Sequence, residues 1–149
     1  DRAFAHLAHL RASHSMSYAF DIRVYWEDTD AGGIVFYANY LKFFERARTE
    51  WLRSLGIGQQ LLREQTGGMF VVSETQVKYH RSAVLDDRLR VTAGLLEIGR
   101  ASLLIGQSAW REEPGPSTLL CDGSIRIGWV DAATLKPARI PASILERLS

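Results

Sequence analysis

Residues 27–40 read Glu-Asp-Thr-Asp-Ala-Gly-Gly-Ile-Val-Phe-Tyr-Ala-Asn-Tyr, and they concentrate the chemically capable groups of the chain. Two acids, Asp28 and Asp30, and the Gly32-Gly33 pair stand between an alternating strand pattern and an amphipathic helical one. The first turn of a helix offers unpaired N–H groups and about half a positive charge, which suits an oxygen that becomes anionic. A carboxylate delivered to such a helix start suggests acyl chemistry. The same residues have plain structural uses. An Asp before a helix commonly caps it or stabilises a turn, and Gly permits positive φ at a joint whether or not a ligand approaches.

The elements that must position these groups follow from periodicity. Tyr18, Phe20, Ile22, Val24 and Trp26 alternate with Asp21 and Arg23, which predicts a half-buried strand over 18–26. After the Gly pair, Tyr37, Tyr40, Leu41, Phe44, Ala47, Trp51 and Leu55 recur at three-to-four-residue spacing, with Lys42, Arg46 and Glu50 opposite. That spacing predicts one long helix with an apolar face, ending near Gly56. Segments 69–80, 86–98, 100–111 and 118–131 read as four further strands in meander order, parted by turn-rich joints such as Glu113-Pro114-Gly115-Pro116. Pro141 with Ile144, Leu145 and Leu148 predicts a short terminal helix. One strand, one long helix and a run of antiparallel strands make an α+β arrangement in which the sheet wraps the helix.

The bulk composition excludes several classes. With 149 residues, 46% hydrophobic, the chain suits one compact domain over 18–149, preceded by a frayed tail over 1–17. Eighteen basic against seventeen acidic residues, without a Lys/Arg block, argue against nucleic acid as a partner. A lone cysteine, Cys121, permits no internal disulfide and reads as a buried thiol in a reducing compartment. No apolar run has the roughly 20 residues of a membrane helix, so a cytoplasmic protein with no membrane insertion is expected. His6, His9 and His14 lie in the tail with no carboxylate or thiolate completing a site, so no metal is expected.

Asp28-Thr29-Asp30-Ala31-Gly32-Gly33-Ile34-Val35, then Tyr37-Ala38-Asn39-Tyr40, then Phe44-Glu45-Arg46-Ala47-Arg48-Thr49-Glu50 resemble one known family. The pattern is similar to that of hotdog-fold acyl-CoA thioesterases of the 4-hydroxybenzoyl-CoA thioesterase type, and most like their Tol-Pal-associated branch. The resemblance spans about residues 18–141 and includes weaker matches at Leu85-Asp86-Asp87, Arg100-Ala101-Ser102 and Lys136-Pro137. It implies hydrolysis of an acyl-CoA to a free acid and coenzyme A, with no cofactor. Asp30 takes the place of the catalytic acid, as nucleophile or as the base that activates water. Backbone N–H groups around Gly33 to Tyr37 take the place of the oxyanion pocket. A thioester has a good leaving group, so one carboxylate and such a pocket can suffice.

The resemblance also implies that Arg100 and Ser102 border the coenzyme A cleft, where Lys78, Arg81 or Arg88 could assist. It implies a homodimer at least, or a homotetramer, with the active site between subunits. The chain departs from the branch at Tyr37, where a His commonly stands; the 4-hydroxybenzoyl-CoA enzymes carry Tyr there, so the acyl group stays open. Asp28 is the second candidate acid, and Glu45 is a rival because some hotdog thioesterases place their acid within the helix. Two other classes remain: a non-catalytic module that binds acyl-CoA or acyl carrier protein, or serves as an adaptor in envelope or phospholipid metabolism; and a dehydratase, for which His80 is the one His beyond the tail.

Overall fold

The computed structural model describes residues 18–149, so the tail and its three histidines lie outside the described residues. The elements run β1 (Ala19–Arg23), a one-turn 3-10 helix (Trp26–Asp28), α1 (Asn39–Ser54), α2 (Gln59–Thr66), β2 (Gly68–Tyr79), β3 (Arg88–Ile98), β4 (Ser102–Arg111), β5 (Thr118–Asp131) and α3 (Ala142–Leu148). The five strands form one antiparallel sheet in the order β1-β3-β4-β5-β2.

The expected meander holds only for β3-β4-β5. The chain crosses from β1 to the far edge, where β2 pairs with β5 from Gly68↔Asp131 to Tyr79↔Cys121, and then returns to lay β3 beside β1. Alternation marks a strand but not its neighbour, because pairing partners are chosen by shape and packing across the sheet. At Gly123 the two backbones approach so closely that a Cβ would collide with the Gln76 carbonyl. A side chain at that position would hold β2 away from β5.

Helix α1 packs chiefly on β3, β1 and β4. It buries Tyr40, Phe43, Phe44, Ala47, Trp51 and Leu52 against sheet residues such as Val91, Leu103 and Ile105. Two expected core members are in fact outside: Tyr37 is 62% exposed and Leu41 41%. Tyr37 precedes the first helical residue, Asn39, so the helical period does not yet apply to it, and Leu41 lies on the flank. Phe43 and Leu52 are buried in their stead. Trp26 leaves the strand pattern in the same way: β1 ends at Arg23, the 3-10 turn begins at Trp26, and its side chain is 79% exposed.

A polar pin fixes the helix on the sheet. Gln107, wholly buried on β4, donates Nε2 to the Phe44 carbonyl at 2.8 Å and accepts Arg48 Nη1 at 2.9 Å. Buried amides must be satisfied, so these bonds dictate where α1 sits along β4. The terminal helix forms as expected, with Pro141 just before it and Ile144 buried. Helix α2, by contrast, has no counterpart among the expected elements: its eight residues bury only Leu62, too little apolar periodicity to stand out. Among the described residues no helix is long and apolar enough to cross a membrane.

Candidate active site

The segment between β1 and α1 is held at its base by Asp28. This side chain is 7% exposed, and its Oδ2 accepts the Tyr25 N–H at 2.8 Å. The Asp28 carbonyl accepts both the Phe36 N–H at 3.1 Å and Asn39 Nδ2 at 2.8 Å. Thr29 bridges Val35, so the chain closes a narrow loop that carries residues 30–34 at its tip. The start of α1 is thereby fastened beside that tip. Asp28 is committed to this scaffold.

Asp30 is oriented differently. Its backbone N–H donates to Ile34 O at 2.9 Å, its carbonyl accepts the Gly33 N–H at 3.0 Å, and its Oδ1 accepts the Gly32 N–H at 2.8 Å. The side chain is exposed, and Oδ2 meets no donor among the described residues. Gly33 adopts φ +80°, which closes the turn. Gly32 serves another need: a Cβ there would come within 3.2 Å of Asp30 Oδ1. The two glycines therefore support the carboxylate by separate means, one through backbone conformation and one through clearance.

The helix start supplies the electrophilic half. The N–H groups of Asn39, Tyr40 and Leu41 turn back on the Phe36, Tyr37 and Ala38 carbonyls at 2.8, 3.3 and 3.1 Å. Those of Tyr37 and Ala38 meet no acceptor among the described residues. Among the described residues no side chain caps α1, Asp30 included, so these two adjacent amides stand open at the positive end of the helix dipole. The Gly33 N–H, by contrast, is taken by the Asp30 carbonyl. Around the opening, Phe36 and Tyr37 contact at 4.9 Å between ring centres and Tyr37 meets Tyr79 edge-on at 5.8 Å. With exposed Ile34 and Val84, which bridge one another, they form an uncovered apolar wall. The buried Tyr40 phenol accepts the Ala83 N–H at 3.0 Å beneath them, and burial raises its proton affinity.

Arg100 and Ser102 lie elsewhere. They flank the β3–β4 turn, at the end of the sheet opposite the Asp30 loop, which is bonded to residues 83–87 just before β3. The eleven residues of β3 separate the two places, roughly 35 Å at about 3.3 Å per residue. Ser102 Oγ accepts Arg126 Nη1 at 3.1 Å, while Arg100 is exposed. Arg81 and Arg88 fall at the Asp30 end, as does Lys78 near the end of β2. His80 Nε2 faces the buried Asp122 Oδ1 at 3.3 Å. Glu45 lies on the flank of α1, its Oε2 accepting the Thr49 hydroxyl at 2.9 Å.

Several supporting residues escaped the sequence reading. Asn39 ties the helix start to Asp28, and an Asn at the first helical position is a recognisable side-chain donor for nearby backbone. The wall residues Phe36 and Tyr79 carried no signal beyond being aromatic. Arg48 and Gln107 are 59 positions apart, and only packing brings them together.

A five-stranded antiparallel sheet wrapped on one long helix, with a carboxylate loop at the helix start, is the hotdog architecture. The thioesterase superfamily profile matches residues 32–118. The acyl-CoA thioesterase YbgC of Haemophilus influenzae is 40% identical over 127 residues, 85% of this chain and 90% of that relative. A probable thioesterase from Bartonella henselae superposes with a TM-score of 0.75 at 31% identity, covering 83% and 98% of the two chains. A 4-hydroxybenzoyl-CoA thioesterase mutant solved with 4-hydroxybenzoyl-CoA shares the fold, with a TM-score of 0.82 at 21% identity over 88% and 97%. The chain belongs to the thioesterase superfamily.

Proposed function

We propose that this protein hydrolyses an acyl-CoA thioester, with Asp30 supplying the reactive carboxylate and the Tyr37 and Ala38 amides accepting the developing oxyanion. The supporting observation is the pairing of one exposed carboxylate with two adjacent amides at a helix start, neither Oδ2 nor the amides being bonded among the described residues. Asp30 Oδ2 either attacks the thioester carbon, giving an acyl anhydride that water then cleaves, or removes a proton from water as its oxygen attacks. On both routes the C–S bond breaks, coenzyme A leaves with the proton, and the acid is released. The amides act because negative charge gathers on the carbonyl oxygen only in the transition state.

The complete site in this reading needs two protomers. The edge strand β2 has twelve residues against five in β1, and the apolar wall beside it is uncovered. Antiparallel pairing of two β2 edges would continue the sheet and remove an open edge. It would also bring the Arg100–Ser102 turn of one protomer to the end of the sheet where the other carries Asp30. Arg100 would then face the coenzyme A phosphates across the interface. Mixing Asp30→Asn and Arg100→Ala protomers tests this, since a shared site regains one intact copy per mixed dimer. Activity no higher than the simple average of the two variants would overturn the shared site.

The decisive assay offers the purified protein short aliphatic, long aliphatic and benzoyl-type CoA thioesters, with released thiol trapped and Asp30→Asn run in parallel. Turnover that collapses in the variant supports the reading, and the preferred substrate names the acyl class. Normal turnover in Asp30→Asn removes Asp30 from the mechanism. Failure of every CoA thioester favours an acyl carrier protein substrate or a module that binds without turnover.

A further inference from the structure

The Tyr37 and Ala38 amides belong to one tight turn. Residues 36–39 form it, closed by the Asn39 N–H on the Phe36 carbonyl at 2.8 Å, with Tyr37 and Ala38 at its centre. Both ends of the turn hang on a single atom. The Asp28 carbonyl oxygen accepts the Phe36 N–H at 3.1 Å from the first residue and Asn39 Nδ2 at 2.8 Å from the last. Asp30 is the second residue after Asp28 and stands on the same loop, closed by the Thr29–Val35 bridge. One carbonyl is thus the common reference for the carboxylate and for the amides that act with it.

The two ties differ in kind. The Phe36 bond is made by backbone and is open to any residue but proline. The Asn39 bond depends on the side chain, and only its NH2 group can meet a carbonyl oxygen, so the orientation of the amide is fixed. Among the described residues it is the one side-chain hydrogen bond between the turn and the Asp28–Asp30 segment. Without it the turn keeps its Phe36 hinge and can pivot there, carrying both amides with it. The docking of α1, by contrast, has another support. Tyr40 is buried, its phenol accepts the Ala83 N–H at 3.0 Å, and the Ala83 carbonyl accepts the Val35 N–H at 2.9 Å. That route joins helix to loop without Asn39, and Asn is a poorer helix former than Ala, so neither docking nor helix propensity accounts for it.

We propose that Asn39 is a positioning residue for the hydrolysis: its side chain sets the angle of the Tyr37 and Ala38 amides relative to the Asp30 carboxylate. It acts through the turn and not on the substrate. The consequence is kinetic. The amides bind the carbonyl oxygen strongly only as charge gathers on it, so misdirecting them raises the barrier and leaves ground-state binding as it was. Displacement by about 1 Å costs on the order of a hundredfold in rate.

This inference rests on the thioesterase reading, and one set of variants separates the two. With the CoA thioester that the wild-type protein cleaves best, kcat, KM and melting temperature are measured for Asn39→Ala, Asn39→Asp and Asn39→Gln. Asn39→Ala is expected to lower kcat about ten- to a hundredfold, with KM within about twofold and the melting temperature little changed. Asn39→Asp keeps the shape but sets a carboxylate against the Asp28 carbonyl and beside the forming oxyanion, so it should be slower still. A negative charge at a helix start stabilises the helix, so that loss cannot be one of helix stability. Asn39→Gln retains the donor on a longer arm and should recover part of the rate. A wild-type kcat in Asn39→Ala overturns the assignment. So does a rise in KM at constant kcat, which makes Asn39 a substrate contact. A melting temperature that falls in step with activity in all three variants makes it a scaffold residue and overturns the assignment too. If the wild-type protein cleaves no CoA thioester, the thioesterase reading fails and takes this assignment with it.

Discussion

Asp28 and Asp30 are two residues apart on one loop and have opposite fates. Asp28 is buried, with its carboxylate and carbonyl both bonded to the scaffold, whereas Asp30 is exposed, with one oxygen bound by Gly32 and the other meeting no donor among the described residues. The first builds the loop and the second is displayed by it. A turn that presents a reactive carboxylate needs a second polar group to hold its base, because an exposed tip has few other contacts. Two neighbouring acids in a sequence are therefore one candidate and one support, and bond accounting tells which is which.

The comparison breaks most sharply on removing the charge from each. Asp30→Asn should lower kcat by roughly a hundred- to ten-thousand-fold, as loss of an acid–base group does, with an unchanged melting curve. A variant that is inactive because it unfolds at lower temperature would make Asp30 a scaffold residue as well. Asp28→Ala should reverse the pattern: the Tyr25 N–H loses its acceptor, and chemical denaturation should show a loss of about 1–3 kcal/mol.

The adjacent glycines sharpen the same contrast at smaller amplitude. Gly32→Ala crowds Asp30 Oδ1 and should cut kcat about tenfold through displacement of the carboxylate, with little change in stability. Gly33→Ala meets nothing within 4 Å but must hold φ +80°. It should cost about 1 kcal/mol of stability in a urea titration. Equal kinetic and stability effects at both positions would remove the distinction between clearance and conformation.

The smallest effect concerns Tyr40, under the wall. Burial is the main cause that raises its phenol pKa, and the Ala83 N–H bond partly offsets it. The folded protein thus keeps this proton longer than the unfolded chain does. Its contribution is intact below pH of about 10 and is lost as pH rises through the folded-state value. Tyr40→Phe should flatten the alkaline limb of a stability–pH profile, at a pH-independent cost from the orphaned Ala83 N–H. An unchanged alkaline limb would assign that limb to other groups.

Legibility followed locality. The long helix, the terminal helix and the strand segments were visible because each repeats its own period over many residues, and the loop motif was visible because its acids and glycines are contiguous. The α+β class and the thioesterase family were readable from the same features. The edge position of β2 was not, since alternation carries no address for a partner strand. Nor were the outward turns of Trp26 and Tyr37, which sit just beyond the ends of periodic elements, where the pattern no longer constrains a side chain.

By itself, then, the sequence determined local conformation and the chemical groups available: where the chain extends, where it coils, and that Asp30 stands in a Gly-Gly turn before a helix. Only the tertiary structure decided which amides at that helix start remain open, that Asp28 is spent on the scaffold, and that Arg48 is buried on Gln107. Those outcomes depend on contacts between residues as far apart as Arg48 and Gln107, 59 positions in the chain. Such contacts arise from packing and hydrogen-bond satisfaction across the whole fold, which no local pattern encodes.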